Sequence, residues 1–181
     1  MNNEALKSKS GPGDCWGTPL DLWTDIYNKF LQGVSGDGPI FDPCPNMSRI
    51  LPRTYGIPGK IGLSKPWGIN DDRDWSSRVF VNPPFSDIAP WIQKAVEEYE
   101  IAPFNKTIIM LVPVRPDQAW WHVWVPKTQI FFIRKRVNYC REDGSVGKAP
   151  SFASCILRLS DRGHGGHEFW YPPCHVTRGF V

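Results

Sequence analysis

Residues Asn82-Pro83-Pro84-Phe85 set an amide, two imino acids and an aromatic ring in consecutive positions, directly after the apolar run Val79-Phe80-Val81. Proline fixes its own φ and has no N–H. The turn therefore presents carbonyl acceptors, and the Asn82 side-chain oxygen adds another. A group of acceptors selects a donor such as an amino group. Phe85 supplies a flat apolar face beside them, which suits a planar ring carrying an exocyclic amine. A nucleobase meets that description. An Asn-Pro-Pro turn can also do no more than end a strand.

The elements around this turn place it. Val79-Phe80-Val81 reads as a buried strand, and Ile88, Trp91, Ile92, Ala95, Val96 and Tyr99 recur at helical spacing behind it. Asn82 then lies at the carboxyl end of a strand, the edge of an α/β sheet where ligands bind. Leu22, Trp23, Ile26, Tyr27 and Phe30 predict a helix over Pro19 to Leu31, with Thr18 as N-cap and Pro19 at the first helical position. Ile40-Phe41 leads into Asp42 as a short strand. Residues 45 to 76 lack periodicity and read mostly as loop. Thr107 to Val114 is the continuous apolar run of a central strand covered on both faces, and a helical stretch, Asp117 to Val125, follows. Gln129 to Tyr139 and Phe152 to Leu159 predict an antiparallel strand pair joined by a long loop. Together these indicate an open α/β sheet.

The 181 residues are 41% hydrophobic, enough for one domain with a sizeable core. No apolar run is long enough to span a bilayer, and residues 1–13 read as a polar, flexible arm rather than a signal peptide. A net charge of +3 does not by itself announce nucleic-acid binding. The distribution of the charge is more informative. Arg134, Lys135, Arg136, Arg141 and Lys148 cluster around the late strand pair, with Asn138 and Tyr139 interleaved, and Arg115 follows the central strand at the Asn82 edge. This surface suits phosphates and base edges, and it also suits a solvated basic edge. The five cysteines, Cys15, Cys44, Cys140, Cys155 and Cys174, are odd in number and lack a Cys-x-x-Cys pair, as expected of reduced thiols in a cytoplasm. His164, His167, Cys174 and His175 fit no familiar zinc spacing, so no metal is expected.

Several ordered motifs accompany the turn: Trp16-Gly17-Thr18-Pro19, Phe41-Asp42-Pro43-Cys44, Gly62-Leu63, Val79 to Phe85 and Leu111-Val112-Pro113. In order and spacing this set resembles the phage-type DNA N-6-adenine methyltransferase (Dam) family across residues 14–160, with 161–181 left as a C-terminal extension. The resemblance implies a Rossmann-like methyltransferase sheet, mixed, with an antiparallel strand near one edge. It implies S-adenosylmethionine as cofactor, double-stranded DNA as partner and a cytoplasmic setting in a bacterial host cell, with restriction-modification as a context by analogy.

Within that resemblance, Asn82, Pro83, Pro84 and Phe85 are the catalytic residues. Thr18, with Trp16 and Pro19 beside it, clamps the cofactor carboxylate. Asp42 receives the cofactor's amino group, and Pro43 and Cys44 shape the wall. The cofactor adenine falls to Asp74-Trp75 or to Pro66-Trp67, with the former preferred. Arg115, Arg134, Arg136, Asn138, Arg141 and Lys148 contact DNA. The chain departs from the family's kin in lacking a Gly-x-Gly after Asp42 and in carrying Ile61 where an acid is common. Two alternatives remain open at this point: amino-directed methylation of RNA or of protein glutamine, and an inactive DNA-binding module. Neither the recognition sequence nor the oligomeric state is legible.

Overall fold

A computed structural model describes residues 16–34, 39–45, 51–56, 63, 67, 78–101, 103, 106–141, 145–147, 150–161, 166–170 and 172–173. Seven strands form one mixed sheet: β1 (Ile40–Asp42), β2 (Thr54–Gly56), β3 (Arg78–Val81), β4 (Thr107–Pro113), β5 (Gln129–Ile133), β6 (Ser154–Leu159) and β7 (His167–Trp170), in the order β2-β1-β3-β4-β6-β5-β7. β6 runs antiparallel to both its neighbours, β4 and β5, and every other pairing is parallel. Three helices pack on the sheet: α1 (Leu20–Ile26, continued by a π turn over Tyr27–Leu31), α2 (Ala89–Ile101) and α3 (Ala119–Trp124, followed by a 3-10 turn over Val125–Lys127).

β4 shows why the layers form. All seven of its residues are buried, and their alternation sends Ile108, Met110 and Val112 to one face and Ile109 and Leu111 to the other. The first face carries Trp91, Ile92, Ala95, Val96 and Tyr99 of α2. The second carries Leu22, Trp23 and Ile26 of α1, with Trp23 edge-on to Phe80 of β3 at 4.9 Å. The result is a three-layer α/β/α domain whose central strands end together at one edge.

The strand pair is antiparallel, as the sequence indicates, but its first member is shorter than expected. β5 stops at Ile133, and Lys135 at φ 79° turns the chain out of the strand conformation. β2 lies inside the stretch read as mostly loop. Its three residues carry no apolar alternation, and it exists because it pairs in register with β1. β7 lies in the stretch set aside as a C-terminal extension. Three of its four residues are exposed, so an edge strand here leaves no hydrophobic pattern to read, yet it pairs with β5 from Ile130 to Ile133.

On the α2 face Glu98 binds two cations, Lys94 at 2.6 Å and Lys106 at 3.1 Å, and Lys106 also donates to the Trp67 carbonyl at 2.9 Å. Burial opposes ionisation of Glu98, but bonds from Lys94, Lys106 and the Trp67 backbone outweigh it and hold the carboxyl below its ordinary range. Burial likewise lowers the Lys106 pKa, with Glu98 opposing. Replacing Glu98 by leucine leaves the Lys106 ammonium buried with one carbonyl, and is expected to cost about 3–5 kcal/mol. Urea unfolding checks this, with Glu98→Leu/Lys106→Met expected to lose less than Glu98→Leu alone.

Candidate active site

Asn82 follows the last residue of β3, and Asp42 ends β1 one strand away; Phe41 pairs with Val79, so both side chains occupy the same carboxyl edge. Pro83 and Pro84 are buried behind Asn82, and the Asp87 N–H donates to the Pro84 carbonyl at 3.1 Å, closing the turn before α2.

The Asn82 amide is held from its nitrogen side. Nδ2 donates to the Trp16 carbonyl at 2.6 Å and to Thr18 Oγ1 at 3.2 Å. A carbonyl can only accept, so these bonds fix which end of the amide is which. Oδ1 is buried and has no hydrogen-bond partner among the described residues. A buried acceptor left unmatched costs about 1–3 kcal/mol. Asn82 thus presents an oriented acceptor that an N–H would satisfy.

The segment that holds Asn82 is itself tied down by the late part of the chain. Gly17 N–H donates to the Cys140 carbonyl at 2.7 Å, and Cys140 N–H returns the bond at 2.9 Å. Gly147 N–H donates to the Tyr139 carbonyl, and the Trp16 ring lies against Gly147 so closely that an added Cβ would sit 2.9 Å from Trp16 Cζ3. Phe85 is half-buried and meets the rings of Tyr139 at 5.0 Å and Phe152 at 5.6 Å edge-on. Tyr139 bonds Ser154 Oγ at 2.9 Å, and burial pushes its phenol well above the ordinary range, so it stays neutral. These rings set the tilt of Phe85.

Thr18 does not cap α1. Pro19 takes the flanking position, and its carbonyl accepts from Trp23 N–H at 2.8 Å. The Thr18 hydroxyl turns to Asn82 instead, 64 positions away, which no local pattern reveals.

Asp42 is 5% exposed, and the Cys44 N–H donates to its Oδ1 at 2.9 Å. Burial raises its pKa to about 7 against the smaller opposing effect of that bond. No cation is paired with it among the described residues. β2 runs alongside in register: a Cβ on Gly56 would come within 2.7 Å of the Asp42 carbonyl oxygen. A positively charged group entering here would restore ordinary ionisation. Cys44 beside it is half-buried and forms no disulfide.

The remaining expectations divide. Arg134, Arg136, Asn138 and Arg141 are exposed, while Val137 and Tyr139 between them are buried, so Tyr139 belongs to the core of the site and not to the outward surface. The Arg115 guanidinium is engaged by Asp117 in two bonds of 3.0 and 2.9 Å, which hold the Asp117 carboxyl well below its usual range. Trp67 is wholly buried and stacks with Trp91. Asp74, Trp75 and Lys148 lie outside the described residues, as do Pro66, Cys15, Cys174, His164 and His175. The described residues contain no cluster of three potential metal ligands and no helix long and apolar enough to cross a membrane.

One edge of the mixed α/β sheet thus carries an oriented amide acceptor, a proline-fixed turn and a buried carboxyl that has no cation paired with it among the described residues. The family model described as DNA N-6-adenine-methyltransferase (Dam) matches residues 70–162, just over half of the chain. The chain belongs to that family. No curated protein matches it.

The Asp42 carboxyl sets a testable slope. Its folded pKa of about 7 lies above the roughly 3.9 of an unfolded aspartate. Between those values the folded state keeps a proton that the unfolded state has released, so this group's stabilisation is complete below about pH 4 and is lost as pH rises to about 7. Asp42→Asn is expected to flatten that dependence and to exceed the unsubstituted protein at pH 8 by up to about 4 kcal/mol, measured by urea unfolding at pH 5 and pH 8.

Proposed function

We propose that this protein is a site-specific DNA adenine methyltransferase that moves a methyl group from S-adenosylmethionine to the exocyclic amino group of an adenine turned out of the duplex. The observation that carries this reading is the Asn82 amide, pinned through Nδ2 with its buried Oδ1 left as an open acceptor. Membership of the Dam family supports it.

The chemistry requires acceptors. An adenine amino group is a poor nucleophile because its lone pair is delocalised into the ring. Asn82 Oδ1 and the Pro83 carbonyl each take one N–H, draw the nitrogen toward tetrahedral geometry and aim its lone pair. Phe85, its tilt set by Tyr139 and Phe152, lies against the base. The base must leave the stack to reach this edge. No side-chain base is needed, because the methylated ammonium is acidic enough to lose its proton to water.

When bound, S-adenosylmethionine supplies an electrophilic methyl group on a sulfonium. The chain offers Asp42 for its amino group, with Pro43 and Cys44 as the adjoining wall, and Thr18 with Trp16 and Pro19 for its carboxylate. Asp74 and Trp75 are the residues we assign to its adenine. Asp42 suits a cationic head because its burial leaves it short of a counter-charge. The sheet then acts as a Rossmann-like methyltransferase scaffold with the ligands at its carboxyl edge. We assign the DNA strand to Arg134, Arg136, Asn138, Arg141 and Lys148. Arg115 would have to exchange Asp117 for a phosphate to join them.

Incubating the protein with S-adenosylmethionine and unmethylated duplex DNA should yield N-6-methyladenine on nucleoside mass spectrometry. Asn82→Ala should lower the rate about 10²- to 10³-fold, by analogy with loss of one preorganised polar contact, and should weaken cofactor binding by a much smaller factor, through the lost bonds to Trp16 and Thr18. Label appearing in RNA or protein but not in DNA would overturn the substrate assignment.

Cofactor affinity should also depend on Asp42. Only the carboxylate attracts the ammonium, so affinity should strengthen as pH rises through about 7 and flatten above it. Calorimetric titration from pH 6 to pH 8.5 checks this, and Asp42→Asn should bind weakly at every pH.

A further inference from the structure

A polar pocket lies at the opposite end of the sheet from Asn82, across the seven-residue length of β4, roughly 20 Å away. It encloses about 130 Å³ between the end of the first helical segment, the start of β4 and the end of β6. That is several times the roughly 30 Å³ share of a water molecule.

Strand alternation sorts its residues. Thr107 shares a face with Ile109, and Arg158 and Ser160 share one with Ile156, so all three project toward α1. Lys29 comes down from the helical segment onto the same face. Lys29 Nζ and the Arg158 guanidinium lie 5.3 and 5.2 Å from the centroid of one ring, Phe131. Lys106 and Asp161 also contribute to the lining, but they belong mainly to the other face. The Lys106 ammonium is bound to Glu98 and Trp67, and the Asp161 charge acts on Tyr99 of α2.

On the α1 side the pocket is therefore lined by the Lys29 and Arg158 cations and the Thr107 and Ser160 hydroxyls, with the Gln32 amide beside them and Lys106 and Asp161 at its other wall. Arg158 Nη2 donates to Gln129 Oε1. Lys29 pairs with Glu168 at 2.9 Å, with the two side chains 34% and 49% exposed, a surface ion pair of small net strength that an entering anion can redirect. Ser160 is the informative group. It is 3% exposed, its Oγ is buried, and that oxygen has no hydrogen-bond partner among the described residues. A buried hydroxyl without a partner calls for a hydrogen-bonding ligand, and the Lys29 and Arg158 cations in the same lining favour one that carries negative charge.

We propose that this pocket is a second binding site, distinct from the methyl-transfer edge, for a small oxyanion of the phosphate class. Ser160 and Thr107 donate through their hydroxyls, and Lys29 and Arg158 supply the charge. The phosphate can be free or can terminate a nucleic-acid strand. The two sources present the same tetrahedral oxygens and are told apart by experiment.

Amide resonances of the ¹⁵N-labelled protein, followed during titration with sodium phosphate against sodium chloride at equal ionic strength, should shift saturably at Gly33, Thr107 and Ser160. A parallel titration with a 5′-phosphorylated dinucleotide, compared with its unphosphorylated form, shows whether a strand terminus enters as well as the free ion. Lys29→Ala should weaken phosphate about tenfold, the loss of one charge-assisted bond, and Ser160→Ala should weaken it too, with each spectrum reporting that the variant is folded. Shifts that fail to saturate, that chloride reproduces, or that persist unchanged in Lys29→Ala would overturn the proposal.

Discussion

Much of the site hangs on the two hydrogen bonds from Asn82 Nδ2 to the Trp16 carbonyl and Thr18 Oγ1. They join the turn after β3 to the segment before α1, and that segment is joined in turn to Cys140 by a reciprocal pair of backbone bonds. Three distant stretches of chain meet there. With both amide hydrogens committed, the oxygen cannot rotate away from the edge, and the unmet acceptor is conserved through the rigidity of its neighbours. The arrangement is a local loss of stability held in place by the surrounding core.

The same logic operates at Asp42. A carboxyl at the end of a three-residue strand is buried and receives a backbone N–H from Cys44, with no cation paired to it among the described residues. Elsewhere the protein resolves its buried charges: Glu98 on the α2 face is met by Lys94 and Lys106. The contrast separates a structural carboxylate from one left short of a partner. Ser160 at the far edge belongs with Asn82, as a buried polar group whose hydrogen-bond partner is missing among the described residues.

The central sheet was legible because burial on two faces imposes composition. β3 and β4 are continuous apolar runs, and α2 shows its apolar stripe plainly. The edges were not legible for the opposite reason. β7 is mostly exposed and β2 spans only three residues, so neither carries an apolar pattern to read, and pairing with β5 and β1 makes them strands. Tyr139 shows a similar failure within a basic stretch. Its neighbours Arg136, Asn138 and Arg141 face outward, and only the tertiary fold turns it inward against Phe85.

Residue types and local order determined the acceptor character of the Asn82 turn, its place after a buried strand, the position of Asp42 at a strand end and the family to which the chain belongs. These follow from covalent chemistry and short-range periodicity, which the chain carries with it. The tertiary structure decided which end of the Asn82 amide is open, that Thr18 serves Asn82 and not the helix, that Trp67 is a core residue and that Asp42 has no cation paired with it among the described residues. Each of those depends on contacts between residues far apart in the chain and on exclusion of water, and both arise only when the layers close.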